Sequence, residues 1–86
     1  MERFLVISNH TVEDCKLAIK YFSEYNATYL THFDWGCFDN DHNAYAIIEA
    51  DNHEQARMSV PPMLRNKSKV IKVTHLSPKQ MKDIIY

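Results

Sequence analysis

Apolar positions along the chain change period, and the changes divide it into strands and helices. Residues 3–9 (RFLVISN) are a run of β-branched and aromatic side chains, which predicts a strand. A helical repeat follows Thr11, a capping residue, and Asn26 marks its end. The apolar face of this predicted helix consists of Val12, Cys15, Ile19 and Phe22.

The rest of the pattern predicts a hairpin, a short helix, a final strand and a terminal helix. Aromatic and β-branched enrichment predicts strands at residues 27–36, 44–50 and 69–76. Residues 38–43 (FDNDHN) have the composition of a turn between the first two of these strands. Asn52 caps a short helix that ends at Pro61, and residues 77–86 predict a terminal helix capped by Ser77.

This order is β-α-β-β-α-β with an extra C-terminal helix, which predicts an α+β, ferredoxin-like sandwich in one domain, residues 1–86. Such a fold has a four-stranded antiparallel sheet in the order 4-1-3-2, with its helices on one face. The first strand is apolar on both faces, so its open face needs cover. A second subunit or the terminal helix would provide that cover.

Side-chain size predicts the register of the hairpin. A two-residue turn at residues 39–40 opposes Trp35 to Ala44 and Phe33 to Ala46, so that large side chains meet small ones. The set predicted to face the helices is Phe33, Trp35, Ala44, Ala46 and Ile48. Alternation along the strands places the opposite set on the open face: His32, Asp34, Tyr45, Ile47 and Glu49.

Four of these open-face residues are the candidate site. His32 and Asp34 are predicted as catalytic residues, because a histidine beside a carboxylate is a workable general acid and base near neutral pH. Tyr45 and Glu49 would flank them as ligand-binding residues. The alternative interpretation is an edge strand that is kept polar to deter aggregation.

A metal site was also considered at the end of the sheet. His10, Cys37 and His42 would lie at the same edge, with Asp39 and Asp41 nearby, but the sequence leaves their convergence open. Their spacing matches no zinc signature, so the sequence predicts no metal and no cofactor. Cys15 is assigned to the core of the helix face.

Charge and composition limit the classes of partner that the protein is expected to bind. The net charge is −1, which gives no basic field for nucleic acid or an anionic membrane. The N-terminal apolar run is too short for a signal segment or a membrane span. The two cysteines form no disulfide framework, so we expect a cytoplasmic protein with reduced thiols.

Two motifs carry a resemblance to known families. The residues are a WGC…DH hairpin (Trp35, Gly36, Cys37, Asp41, His42) and a PP-x-LR segment (Pro61, Pro62, Leu64, Arg65). The chain resembles uncharacterised small members of the dimeric α+β-barrel superfamily, which implies a homodimer but no established activity. Residues 43–50 are also similar to the third strand of RNA-recognition motifs. Missing aromatics and the acidic balance make RNA binding the weaker interpretation.

These observations predict a small homodimeric protein that binds a small organic molecule over the open sheet face. Whether it also performs acid/base catalysis is left open. The alternative is a non-enzymatic interaction or structural module whose open face only forms the dimer. Neither interpretation involves nucleic acid or a membrane.

Overall fold

A four-stranded antiparallel sheet organises the computed structural model, which describes residues 1–79. The strands are β1 (Glu2–Asn9), β2 (Asp34–Trp35), β3 (Asn43–Ala50) and β4 (Ser68–Lys72), in the spatial order β2-β3-β1-β4. The helices are α1 (Cys15–Tyr25), α2 (Ala27–His32) and α3 (His53–Arg57), and 3-10 turns occupy Cys37–Asp39 and Pro62–Lys67. The predicted α+β class and antiparallel sheet are confirmed.

The predicted terminal helix, residues 77–86, falls mainly on residues 80–86, which lie outside the described residues. Within residues 1–79, no helix has both the length and the apolar character needed to cross a membrane.

One face of the sheet is the core of the molecule. Phe4 and Val6 of β1 are fully buried, whereas the intervening Leu5 is only half-buried, as the two-residue period of a strand requires. On β3 the buried residues are the small Ala44, Ala46 and Ala50. Helix α1 packs over this face and buries Ala18 and Phe22. The predicted assignment of Ala44 and Ala46 to the helix-covered face is therefore confirmed.

The hairpin has the predicted register but not the predicted turn. Trp35 opposes Ala44 and Asp34 opposes Tyr45. Strand β2 contains only these two residues, so the predicted pairing of Phe33 with Ala46 is not part of the ladder. The predicted two-residue turn is wrong: residues 36–42 form a wider loop that contains the 3-10 turn and a left-handed Asn40, with φ of 60°.

The predicted strand at residues 27–36 is mostly wrong. Its first six residues form helix α2, because the Asn26 side-chain oxygen accepts a hydrogen bond from the Thr28 backbone N–H at 3.0 Å and caps the new helix. Asn26 itself is extended and separates α2 from α1. Aromatic and β-branched residues favour strands, but here the cap and the packing override that preference. His32 and Asp34 consequently do not share one strand face.

The segment after α3 is fixed by Arg65. Its Nε donates to the Val60 carbonyl at 2.7 Å, and its Nη2 donates to the Tyr25 hydroxyl at 2.7 Å. The guanidinium carbon also lies 5.4 Å from the centre of the Tyr25 ring. Tyr25 Oη in turn donates to the Met58 carbonyl at 2.8 Å. The arginine of the PP-x-LR segment therefore ties this segment to the end of α1.

Candidate functional site: a cluster of histidines and cysteines

Two histidines and two cysteines meet at the end of the sheet where β1 finishes and β3 begins. These residues, which we call the His–Cys cluster, are His10, Cys15, Cys37 and His42. The candidate ligand atoms of His10, Cys15 and His42 all lie within 4.8 Å of one another. The Nε2 atom of His10 lies 3.2 Å from the Cys37 sulfur, within hydrogen-bond contact. The structure therefore brings His10 next to Cys37 and next to His42, a meeting that the sequence left open.

The two histidines are positioned by the central strand pair. The β1–β3 ladder ends at Asn9 and Asn43, and the Asn9 side-chain amide donates to the Asn43 side-chain oxygen at 2.9 Å. One residue further, the His10 backbone N–H donates to the His42 carbonyl at 3.0 Å. The two imidazole rings consequently lie side by side, with centroids 6.1 Å apart.

The two cysteines come from elements that the sheet brings together. Cys15 is the first residue of α1, and Cys37 is the first residue of the 3-10 turn in the hairpin loop. The structure joins them in a disulfide across 22 positions of sequence. The expectation of two free, unrelated thiols is corrected by this pairing. Cys15 is also half-buried at the helix start and not part of the hydrophobic core.

The hairpin loop is closed tightly around Gly36. Its N–H donates to the Asn43 carbonyl at 3.0 Å, and its own carbonyl accepts from the Asp39 and Asp41 N–H groups. A Cβ at position 36 would lie 2.7 Å from the Asp41 carbonyl oxygen, closer than real Cβ contacts. Only glycine fits this approach, which fixes the loop that connects Cys37 to His42.

Burial favours the neutral form of His10. The side chain is 3% exposed, and this burial, followed by the neighbouring His42, lowers the pKa of His10. A neutral imidazole is the form that binds a metal. The Nδ1 atoms of His10 and His42 are buried and have no hydrogen-bond partner among the described residues. A buried polar atom without a partner costs about 1–3 kcal/mol, so a group that engages these rings would stabilise the cluster.

Asp41 is an anchored carboxylate next to the cluster. Its two oxygens accept hydrogen bonds from the Tyr45 hydroxyl and from the Asn43 side-chain amide, the latter at 2.6 Å. The Tyr45 hydroxyl and then the Asn43 amide lower the pKa of Asp41, and the same Asp41 bond raises the pKa of Tyr45. Both donors stabilise the charged carboxylate, and the contact fixes the ring of Tyr45.

Replacement of Tyr45 by phenylalanine should raise the pKa of Asp41 toward its ordinary value, because the largest cause of the shift is removed. Carboxyl NMR titration of wild type and Tyr45→Phe measures this change. A depressed carboxyl pKa stabilises the fold above the ordinary value of about 4, and that stability is lost as the pH falls. The variant should therefore lose less stability on acidification. Tyr25→Phe is the control, and an equal pKa change in it would contradict the assignment.

An apolar groove of about 700 Å³ opens beside the sulfur pair. Both cysteines line it, together with the apolar side chains of Val12 just before α1, Ile19 of α1, and Trp35 and Phe38 of the hairpin. Phe38 is fully exposed and Val12 is 66% exposed, which is unusual for residues of this kind. The sulfur atoms of the cluster are therefore approached from solvent across an apolar surface.

The four site residues predicted from the sequence lie outside the His–Cys cluster: His32, Asp34, Tyr45 and Glu49. Only His32 and Glu49 line a common cleft. His32 ends α2, and its Nε2 lies 3.1 Å from the Ile47 carbonyl oxygen. His32 and Glu49 line a cleft of about 650 Å³ with Arg3 and Tyr29, whereas Asp34 and Tyr45 are not among its lining residues. Tyr45 is engaged by Asp41 instead. The catalytic assignment of His32 and Asp34 stays a prediction.

The residue that sequence reasoning missed in the cluster is Cys15. It was assigned to the core because it lies on the helical apolar repeat. The spacing reads His-x4-Cys at residues 10–15 and Cys-x4-His at residues 37–42, which is not a known zinc signature and therefore gave no signal for Cys15. Two imidazoles and two thiolates form a tetrahedral ligand set that is typical of structural zinc sites.

The comparisons with known proteins leave the cluster as the main functional evidence. No family model, curated protein or solved structure matches the chain.

Proposed function

We propose that this protein is a ferredoxin-like domain that binds one zinc ion at the His–Cys cluster when its two cysteines are reduced. The observation that carries the proposal is that candidate ligand atoms of His10, Cys15 and His42 lie within 4.8 Å of one another, with the Cys37 sulfur bonded to Cys15 and 3.2 Å from His10 Nε2. Ligand atoms around tetrahedral zinc are about 3.3–3.8 Å apart, so small side-chain adjustments would complete the site.

The chemistry of the cluster selects the metal. Thiolate and imidazole ligands favour zinc and other thiophilic ions over magnesium or calcium, which take oxygen ligands. The neighbouring carboxylate of Asp41 already accepts hydrogen bonds from Tyr45 and Asn43. The partnerless Nδ1 atoms of the two histidines agree with rings that serve a group outside the chain.

This proposal departs from the sequence-based expectation of no metal. That expectation rested on the spacing of His10, Cys37 and His42 and assigned Cys15 to the core. The disulfide and the zinc site use the same two sulfur atoms, so they are alternative states of one cluster. A reduced pair supplies the thiolates that zinc requires.

The direct test is the metal content of reduced, tag-free protein. We expect one equivalent of zinc per chain by elemental analysis. Cobalt substitution should give thiolate charge-transfer absorption and the visible bands of a tetrahedral ion. Cys37→Ser combined with His42→Asn should abolish both signals. The matched control is His75→Asn, which changes an exposed histidine away from the cluster. A folded, fully reduced protein that takes up no zinc or cobalt would refute the proposal.

A second proposal concerns the open face of the sheet, where we infer a homodimer in the manner of the dimeric α+β-barrel proteins. The strand order β4-β1-β3-β2, with helices between β1 and β2 and between β3 and β4, supports the ferredoxin-like subunit of that architecture. The face carries apolar side chains that the described helices leave partly exposed: Leu5, Ile7, Ile47 and Ile71. Cover by a second copy would remove them from water.

The cleft beside this face is where a small organic molecule would bind in that second proposal. Arg3, His32 and Glu49 provide charged and titratable groups at its wall.

Light scattering tests the dimer: wild type should give twice the 10.1 kDa monomer mass, and Ile47→Asp should give the monomer. Met63→Asp, at an exposed position outside the sheet, is the control. A wild-type monomer at micromolar concentration would count against the dimer. His32→Ala should remove any ligand-induced rise in melting temperature.

A further inference from the structure

We propose that the metal-free cysteine pair performs thiol–disulfide exchange with small aromatic or apolar thiols and disulfides, which bind in the groove beside it. The observation is a juxtaposition: the Cys15–Cys37 pair forms part of the wall of an apolar groove of about 700 Å³. Metal binding does not require such a groove. A disulfide with a purely structural role would normally be buried and would not form part of a groove wall. This activity goes beyond zinc binding and does not depend on it.

The lining of the groove determines the class of substrate. Val12, just before α1, and Ile19 of α1 present apolar side chains, and Phe38 presents a fully exposed ring from the hairpin loop. The charged residues among the lining are one of each sign, Glu13 and Lys16, so the groove has no net charge to attract an ionic substrate. A clustered exposed apolar surface of this kind marks a binding site for apolar groups.

Cys15 is the residue that would form the bond with the substrate. It begins α1 and lines the groove together with Val12 and Ile19, the apolar residues on either side of it in the sequence. The Cys37 sulfur is instead held against the buried His10 ring at 3.2 Å. Cys37 is therefore assigned to attack second when the pair is oxidised, and to leave first when a thiol reduces the disulfide.

The exchange balances in both directions. The Cys15 thiolate attacks one sulfur of the substrate disulfide RSSR, which forms a Cys15–SR mixed disulfide and releases RS⁻. The Cys37 thiolate then attacks the Cys15 sulfur, forms the Cys15–Cys37 disulfide and releases the second RS⁻. The two protons lost by the cysteines are taken up by the two RS⁻ groups. The protein dithiol is oxidised by two electrons, and one RSSR is reduced to two RSH.

The experiment uses reduced, full-length protein freed of metal with a chelator. Its rate of reaction with dipyridyl disulfide, which is neutral and aromatic, is compared with its rate with glutathione disulfide, which is polar and charged. Phe38→Ser should slow the aromatic reaction about tenfold, because the apolar contact of one ring is lost, and leave the glutathione reaction nearly unchanged. Met63→Ser removes an exposed side chain outside the groove and serves as the control.

Single-thiol variants identify the attacking sulfur. With dipyridyl disulfide, Cys37→Ser should form the mixed disulfide on Cys15 rapidly, whereas Cys15→Ser should react more slowly at Cys37, as measured by mass spectrometry. Equal rates for the two variants, or a Phe38→Ser protein that discriminates the two disulfides as wild type does, would overturn the inference. The zinc measurement is separate: zinc uptake with slow, unselective exchange refutes only this inference, and rapid, selective exchange without zinc uptake refutes only the metal site.

Discussion

Zinc should raise the melting temperature of the reduced protein by on the order of 15 °C or more. A ligand that binds only the folded state stabilises it by about 4 kcal/mol when its free concentration is 1,000 times its Kd. For a domain of this size, each kcal/mol shifts the melting temperature by about 4–8 °C. The effect is large because the cluster joins two stretches of sequence, residues 10–15 and 37–42, that are not held together in the unfolded chain.

The redox state provides the sharpest control for this prediction. Oxidised protein, in which Cys15 and Cys37 form the disulfide, should show little zinc-dependent shift because both thiolates are consumed. The reduced Cys37→Ser protein should likewise lose most of the shift, whereas reduced His75→Asn should retain it. Calorimetry or circular dichroism with buffered zinc and then a chelator makes the measurement. The same shift in the oxidised protein and in Cys37→Ser would show that zinc binds elsewhere.

Replacement of Phe22 by alanine should lower the free energy of unfolding by about 3–5 kcal/mol, the usual cost of truncating a buried aromatic ring. Phe22 is fully buried, and its ring lies 5.0 Å from that of Phe33 and 5.1 Å from that of Trp35 in edge-to-face arrangements. A domain of 86 residues has little stability in reserve, so we expect a largely unfolded protein at 37 °C.

The same helix supplies the control for Phe22. Leu17 lies on α1 but is 40% exposed, so Leu17→Ala should cost well under half as much as Phe22→Ala. Phe22→Leu retains apolar volume and keeps a folded sample in which zinc uptake can be measured. Urea unfolding of the reduced, metal-free proteins gives the comparison. A loss in Phe22→Ala no larger than that in Leu17→Ala would show that α1 is not the cover of the core.

The sequence by itself determined the strands whose pattern and partners are strongly constrained. The β-branched and aromatic composition of residues 3–9 and 44–50 predicts β1 and β3, and the size difference between Trp35 and Ala44 predicts the register of β2 against β3. These predictions are confirmed because composition and close packing depend only on residues that are neighbours in a strand or directly opposite each other on one face. The cap at Asn52 is similarly local, since its side chain accepts from the Gln55 N–H at 2.8 Å.

Tertiary structure decided the features that depend on competition or on distance along the chain. Residues 27–32 have strand-forming composition, yet the Asn26 cap and the packing beside α1 make them a helix, so the expected face with His32 and Asp34 was not formed. The His–Cys cluster joins residues 10, 15, 37 and 42 through the pairing of β1 with β3 and the placement of α1. No local period reports the meeting of Cys15 with Cys37, because it arises only when the helix packs across the sheet.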